Sequence, residues 1–140
     1  MSVKAKGGKQ QRVPVRTSKA KKVLVVDDEP AVLSTYRLIL EQTGYDTVAA
    51  ATSREAIRAI HEHDFDLILS DFSLEQQHTG FEVIEASKKK NEQVPCCILT
   101  GYATLETADQ AEARGIGILY KPIDIQEILQ TTSKLLGEKQ

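Results

Sequence analysis

Residues 23–30 read Val-Leu-Val-Val-Asp-Asp-Glu-Pro, an apolar, mostly β-branched run followed by three acidic residues and a proline. A continuous apolar run is typical of a strand that is buried on both faces, as in a parallel sheet. Pro30 suits the first position of a helix. Apolar residues then recur at helical spacing, namely Val32, Leu33, Tyr36, Ile39 and Leu40. The segment therefore predicts a buried strand, an acidic turn and an amphipathic helix.

The same succession of strand and helix recurs four more times along the chain. Further strands are predicted at residues 47–50, 67–69, 94–99 and 116–120, which are short and mostly apolar. Helices are predicted after each of them, with Ser53 capping the second helix, residues 104–113 forming the fourth and Asp124 capping the last. Five such units predict an α/β protein with one open parallel sheet that is covered by helices on both faces.

The composition indicates one globular domain. A chain of 140 residues with 41% hydrophobic and 27% charged residues can bury a single sizeable core. No apolar run approaches the about 20 residues that span a bilayer, and no apolar stretch follows the basic N-terminus. The two cysteines, Cys96 and Cys97, are adjacent and cannot form a disulfide framework. These features argue against a transmembrane or secreted protein and predict a cytoplasmic one.

Charge is unevenly distributed along the chain. Residues 1–22 hold eight of the 18 Lys and Arg and no acidic residue, whereas the remainder holds all 20 acidic residues. We predict a basic, disordered N-terminal tail over residues 1–21, because it has almost no apolar side chains to bury, and a folded domain over residues 22–140. Nucleic acid, an anionic membrane and the domain's own acidic surface are possible contacts for such a tail, but we expect no dedicated partner.

Charged and hydroxyl side chains stand where the predicted strands end. Asp27 and Asp28 follow the first strand, Asp71 the third, Thr100 the fourth and Lys121 the fifth. In an open parallel sheet the functional crevice lies beyond the carboxyl ends of the strands, so we expect these side chains to converge. Converging carboxylates repel one another unless a cation or a proton compensates. A site of oxygen ligands with few protein groups suits Mg²⁺.

This combination of groups is suited to phosphoryl transfer. A carboxylate beside a metal ion and a lysine can attack phosphorus and form an aspartyl phosphate. Lys121 would neutralise phosphoryl oxygens, and the hydroxyl of Thr100 would donate a hydrogen bond to one of them. Each residue also has a simpler interpretation, since Asp27 and Asp28 can cap the following helix and Asp71 can begin a turn. Their joint occurrence at four strand ends favours a metal-dependent phosphoacceptor.

Four motifs at these strand ends resemble those of a known family. They are Val-Leu-Val-Val-Asp-Asp-Glu-Pro at residues 23–30, Asp-Leu-Ile-Leu-Ser-Asp at 66–71, Ile-Leu-Thr-Gly-Tyr-Ala at 98–103 and Tyr-Lys-Pro at 120–122. In this order they resemble the receiver domains of two-component response regulators, and the resemblance covers residues 22–137. It implies a flavodoxin-like, doubly wound sheet of five parallel strands in the order 2-1-3-4-5, with five helices.

The resemblance also implies a role for each motif residue. Asp71 would accept a phosphoryl group from the histidine of a sensor histidine kinase or of a histidine phosphotransfer protein. Thr100 would bond the aspartyl phosphate, Lys121 would pair with its oxygens, and the Lys121–Pro122 peptide bond would be cis. Mg²⁺ would be the cofactor, and its protein ligands would be Asp27 (partly through water), Asp28, Asp71 and the backbone carbonyl of Ser73.

The family's way of signalling is implied in the same manner. The protein would not turn over an external substrate but would phosphorylate and dephosphorylate itself at Asp71, and it would signal by conformational change. The kinase would dock on the first helix, residues 30–42, and an unidentified downstream protein would bind residues 103–136.

Two departures from the family pattern favour an alternative. The loop at residues 72–80 lacks a proline that many receivers have and is one residue longer. Ile118 stands where the family usually has an aromatic residue, and the aromatic Tyr120 directly precedes Lys121. Both features fit a constitutive, unphosphorylated receiver-like interaction module, whereas the complete set of strand-end residues favours the phosphoacceptor.

Overall fold

The fold is a single parallel sheet with helices on both sides, seen in a computed structural model that describes residues 20–138. The strands are β1 (Lys22–Val26), β2 (Asp46–Ala50), β3 (Leu67–Asp71), β4 (Cys96–Thr100) and β5 (Gly117–Tyr120). The α-helices are α1 (Pro30–Gln42), α2 (Ser53–Glu62), α3 (Gly80–Lys90), α4 (Leu105–Ala113) and α5 (Ile125–Leu135), and a short 3-10 helix covers Glu75–Gln77. The strand order β2-β1-β3-β4-β5 confirms the predicted order 2-1-3-4-5.

The sheet separates two apolar layers, because successive side chains of a strand point to opposite faces. One layer combines Leu24, Val26, Ile68 and Ile98 of the strands with buried residues of α2, α3 and α4. The other combines Val23, Val25, Leu69 and Leu99 with buried residues of α1 and α5. Burial on both faces explains why the strands are continuous apolar runs, and each fully buried Val, Leu or Ile stabilises the fold by roughly 1.5–3 kcal/mol.

Of two helix caps that the sequence predicts, one is confirmed and the other is not. Asp124 caps α5 as predicted, since its side chain accepts a hydrogen bond from the Glu127 N–H at 2.8 Å. The predicted cap of α2 was wrong: Thr52 is the N-cap, and its hydroxyl accepts from the Glu55 N–H at 3.0 Å. Ser53 is instead the first helical residue, and its hydroxyl donates to the Glu75 carboxylate at 2.6 Å.

The two cysteines are free thiols within the sheet. Cys96 belongs to one apolar layer and Cys97 to the other, as the alternation along the strand predicts. Burial raises the pKa of Cys96 to about 11 and that of Cys97 to about 12. Both thiols are therefore protonated near neutral pH and serve in packing rather than as nucleophiles.

The predicted basic tail falls almost entirely on residues 1–19, which lie outside the described part of the chain. The first strand begins at Lys22, close to the predicted start of the folded domain. Between residues 20 and 138, none of the helices is both long and apolar enough to cross a bilayer.

Candidate functional site

The carboxyl ends of the strands bring several of the predicted residues to one edge of the sheet. Asp71 is the last residue of β3 and Thr100 the last of β4, while Asp27 directly follows β1 and Lys121 directly follows β5. The strands are parallel and pair in register at this end, with Val26 beside Ser70. Residues that are distant in sequence therefore meet here, as expected for a sheet of this kind.

Asp27, Lys121 and Asp71 form a compact charged group. The Nζ atom of Lys121 lies 3.0 Å from Oδ2 of Asp27 and 3.4 Å from Oδ1 of Asp71. The side chain of Asp27 is fully buried, that of Asp71 is 10% exposed and that of Lys121 is 25% exposed. Because two carboxylates share one ammonium group, the site keeps an excess of negative charge in a largely desolvated position.

The pKa values in this group follow from that arrangement. Burial and the neighbouring charge of Asp27 raise the pKa of Asp71 to about 6, although Lys121 opposes the shift. Burial by itself would lower the pKa of Lys121, but the hydrogen bond to Asp27 and the charges of Asp71 and Asp27 raise it overall. The lysine therefore stays protonated, whereas the ionised form of Asp71 is stabilised by any further positive charge that enters the crevice.

The acidic residues fit a divalent cation. Asp27, Asp28 and Asp71 each offer one carboxylate oxygen, and the three atoms lie within 4.8 Å of one another. Asp28 is exposed, whereas Asp27 and Asp71 are buried. A small set of oxygen donors that leaves room for water ligands suits Mg²⁺.

Asp27 does not act as the helix cap that its sequence position allows. The N-cap of α1 is Glu29, which makes no capping hydrogen bond through its side chain. Oδ1 of Asp27 accepts a hydrogen bond from the Glu29 N–H at 2.9 Å, outside the helix, and Oδ2 faces Lys121. The carboxylate of Asp27 is thus held in the crevice from both sides.

The backbone carbonyl of Ser73, the other predicted ligand, lies two residues after Asp71. Ser73 and Thr79 form an isolated antiparallel bridge. Two flanking backbone hydrogen bonds close this bridge, from Gly80 N to Phe72 O at 2.8 Å and from Leu74 N to His78 O at 2.9 Å. Ser73 therefore occupies a non-hydrogen-bonded position, where its own carbonyl points away from the partner strand. Within residues 20–138, no group donates a hydrogen bond to this oxygen.

Gly80 lets helix α3 start directly against the main chain of Asp71. A Cβ atom at this position would lie 2.5 Å from the backbone oxygen of Asp71, 2.8 Å from Cδ1 of Ile98 and 2.9 Å from Oγ of Ser70. No larger residue fits without moving the end of β3. The steric requirement for glycine at this point was not recognised from the sequence.

Thr100 lies at the same edge, but its hydroxyl group is not bonded to the charged residues. It donates to the backbone oxygen of Tyr102 at 2.8 Å and accepts from the Tyr102 N–H at 3.2 Å. Thr100 is buried, whereas the side chain of Tyr102 is 79% exposed. The hydroxyl is thus satisfied by its own loop, and the backbone oxygen of Thr100 accepts from the Lys121 N–H at 2.7 Å.

The two unusual residues of the last strand lie on one face, as alternation predicts. Ile118 packs against the apolar layer beneath α2, α3 and α4. Tyr120 pairs in register with Thr100 and is 53% exposed. The aromatic side chain is therefore beside Thr100, at the surface. The Lys121–Pro122 peptide bond is cis, as the resemblance implied.

Comparisons with known proteins establish the family. Residues 23–133 match the family model of the response regulator receiver domain, so the chain belongs to that family. The chain is 31% identical over 116 residues to the transcriptional regulatory protein ZraR of Escherichia coli (strain K12). This match covers 82% of this chain and 26% of ZraR. It is 31% identical over 118 residues to the response regulator protein PilR of Pseudomonas aeruginosa, covering 81% and 26% of the two chains. The chain thus spans about a quarter of the length of these curated relatives.

Solved structures agree with this assignment. A CheY-like receiver domain protein from Methanospirillum hungatei JF-1 is 31% identical and superposes with a TM-score of 0.80, covering 85% of this chain and 95% of the other. The chemotaxis protein CheY4 of Vibrio cholerae is 30% identical with a TM-score of 0.76, covering 83% and 98%. The protein therefore has the receiver domain of two-component systems in a CheY-like, flavodoxin-like fold.

Proposed function

We propose that this domain accepts a phosphoryl group on Asp71 from a phosphohistidine of a sensor kinase or a phosphotransfer protein, in a Mg²⁺-dependent reaction. The observation that supports this most is the position of the Asp71 carboxylate, which lies in a crevice 3.4 Å from Lys121 and within 4.8 Å of two further carboxylates. A purely structural ion pair has no need of the exposed third acid, Asp28. A third carboxylate oxygen beside the other two supports a cation that belongs to the site.

The chemical step uses groups that the fold already holds. An oxygen of Asp71 attacks phosphorus, the P–N bond of the phosphohistidine breaks, and the electron pair goes to the histidine nitrogen. Lys121 is placed to pair with the phosphoryl oxygens, since its ammonium group already faces Asp71. Mg²⁺, when bound by Asp27, Asp28, Asp71 and the Ser73 carbonyl, supplies charge stabilisation of the phosphoryl oxygens. Water later attacks the phosphorus, releases inorganic phosphate and restores the Asp71 carboxylate.

Phosphorylation would change the hydrogen bonding of Thr100. Its hydroxyl hydrogen is used by the backbone oxygen of Tyr102, so it can be donated to a phosphoryl oxygen only after that bond breaks. The loop at residues 100–104 would then be released and could adopt a second position. Tyr120 pairs with Thr100 across the neighbouring strands, so its side chain would be displaced by this movement. The phosphoryl group shifts the population only as far as it favours one state over the other.

Two surfaces near the site fit the partners of a receiver. A groove of about 360 Å³ beside Lys121 is lined by the start of α1, from Glu29 to Tyr36, and by Pro122 and Ile123. It supports docking of the kinase or phosphotransfer protein on residues 30–42. Large apolar side chains are exposed within or next to residues 103–136, namely Tyr102, Leu105, Tyr120 and Ile125. They support binding of a downstream protein at that surface, because large apolar side chains that are exposed to water can be buried by a protein partner.

Two further proposals concern the setting of the reaction. The two free, buried thiols support a reducing cytoplasm as the location. The basic residues of the tail other than Lys21 lie outside the described residues, so the expectation that the tail has no dedicated nucleic-acid or membrane partner stays a prediction, which a salt titration of binding would test.

The test is the mass of the intact protein after incubation with acetyl phosphate, with and without Mg²⁺. We expect a phosphoryl adduct that requires Mg²⁺, that is absent from Asp71→Asn and that forms more slowly in Lys121→Ala. Asp66→Asn is the matched control, because Asp66 lies just before the opposite end of β3 and its carboxylate only accepts the Lys22 N–H at 2.8 Å. A protein that binds Mg²⁺ but forms no adduct would contradict the proposal. That result would favour the constitutive, unphosphorylated interaction module.

A further inference from the structure

The loop that follows Asp71 is fastened to helix α2 by one side chain. Oε1 of Glu75 accepts a hydrogen bond from the Ser53 N–H at 2.8 Å, and Oε2 accepts from the Ser53 hydroxyl at 2.6 Å. Both carboxylate oxygens therefore bind one residue that lies 22 positions earlier in the chain. Ser53 is buried, so the contact is shielded from water on one side.

The charge of the Glu75 carboxylate strengthens both of its hydrogen bonds to Ser53. Hydrogen bonds from a backbone N–H and a hydroxyl to a carboxylate are charge-assisted, and they are shorter and stronger than neutral ones. Ser53 is the first residue of α2, so the carboxylate also lies at the end of the helix where the peptide dipoles favour negative charge.

The local sequence of the loop does not account for its shape. Gln76 and Gln77 have φ values of 51° and 68°, in the left-handed region that non-glycine residues seldom adopt. A conformation of this kind costs free energy and persists where surrounding contacts compensate. Two contacts do so here: Leu74 is buried in the apolar layer, and Glu75 is bound to Ser53.

These two anchors directly follow the backbone group that is proposed to bind the cation. Ser73 is exposed and its carbonyl has no hydrogen-bond partner among residues 20–138, so no hydrogen bond to that oxygen fixes its direction. Its direction depends on the bridge to Thr79 on one side and on the anchored residues Leu74 and Glu75 on the other.

We propose that Glu75 is a positioning residue for the metal site: by holding the loop to the start of α2, it keeps the Ser73 carbonyl in the place from which it would bind the cation. The proposal rests on the proposed function, because it requires that Mg²⁺ binds at Asp27, Asp28 and Asp71. Glu75 does not touch the cation in this account. It raises the affinity for Mg²⁺ by reducing the freedom of a ligand.

The test is the Kd for Mg²⁺, measured by titration calorimetry on the unphosphorylated protein. We expect Glu75→Ala to weaken binding roughly tenfold, the effect typical of removing a group that orients a metal ligand. Glu75→Gln should recover most of the affinity, because its amide oxygen can still accept from the Ser53 N–H and its amide N–H can donate to the Ser53 hydroxyl oxygen, so that both contacts are kept. At saturating Mg²⁺, the rate of phosphorylation by acetyl phosphate should be unchanged in both variants.

Glu55→Ala is the matched control. Oε1 of Glu55 accepts from the Ala51 N–H at 3.0 Å, so this residue stabilises the start of the same helix without touching the loop. Its loss should lower the melting temperature and leave the Kd for Mg²⁺ unchanged. Should Glu75→Ala unfold, Ser53→Ala provides the same test, since it removes the hydroxyl contact and keeps the N–H contact.

The possible outcomes separate the two proposals. A wild-type protein that binds Mg²⁺ and becomes phosphorylated, with the same Kd in Glu75→Ala or Ser53→Ala, would overturn the role of Glu75 and leave the proposed function standing. An equal loss of affinity in Glu55→Ala would reduce the effect to helix stability and overturn it as well. A wild-type protein that binds no Mg²⁺ would overturn both proposals.

Discussion

Replacing Asp71 by Asn should stabilise the protein without metal at neutral pH and have little effect in acid. The pKa of Asp71 is about 6 in the folded protein against an ordinary value of 3.8, so ionising this carboxyl costs the folded state on the order of 3 kcal/mol. That figure already includes the attraction between the carboxylate and Lys121 at 3.4 Å, which opposes the rise in pKa, and it is an upper bound because solvent screens part of the repulsion. Denaturant unfolding in EDTA between about pH 4 and pH 8, followed by circular dichroism, measures the difference.

The sign follows from proton binding in the two states. In the unfolded chain Asp71 ionises near 3.8, whereas the folded protein keeps its proton up to about 6. The protonated carboxyl therefore contributes fully to the stability of the folded protein below pH 3.8, and this contribution is lost as the pH rises through about 6. The advantage of Asp71→Asn should grow across this window and then level off. An advantage that does not change with pH, or a variant less stable than wild type at pH 8, would refute the account of the site.

Magnesium provides the control for this experiment. A cation that relieves the same repulsion should stabilise the wild type by about 2.7 kcal/mol at a concentration of 100 times its Kd. Asp71→Asn lacks one carboxylate ligand and should gain less at that concentration. Equal stabilisation of the two proteins would show that Mg²⁺ binds elsewhere.

Two further predictions concern neighbours of Asp71. Gly80→Ala should lower the free energy of unfolding by about 1–3 kcal/mol, because the new Cβ meets the Asp71 backbone oxygen at 2.5 Å. Gly101→Ala, where a Cβ has no neighbour within 4 Å, should cost less, and equal losses in denaturant unfolding would contradict the steric argument. Asp27→Asn should lower the pKa of Asp71 part of the way from about 6 towards 3.8, since burial is the larger cause of the shift and Asp27 the next. Carboxyl-carbon NMR titration measures this pKa, and an unchanged value would disprove the coupling between Asp27 and Asp71.

Much of this architecture could be predicted from the sequence, because the signals lie within a few residues. The apolar run at residues 23–26 predicts a doubly buried strand, Pro30 marks the start of a helix, and Asp124 identifies a cap. The rule that ligands bind beyond the carboxyl ends of parallel strands then brings Asp71 and Lys121 to one edge. Each of these inferences needs only local pattern and the general geometry of parallel sheets.

Contacts between distant segments were decided only by the tertiary structure. Ser53 is a residue type that often caps helices, but its hydroxyl is bonded to Glu75, a residue 22 positions away. Thr52 is the N-cap of α2 instead. The raised pKa of Asp71 arises from burial and from Asp27, 44 positions earlier, neither of which its own strand reveals. A sequence shows which groups a residue has, but the dielectric and the partners around it depend on which elements pack together. The sequence by itself therefore determined the elements and the edge where the site lies, and packing decided its electrostatics and its hydrogen bonds.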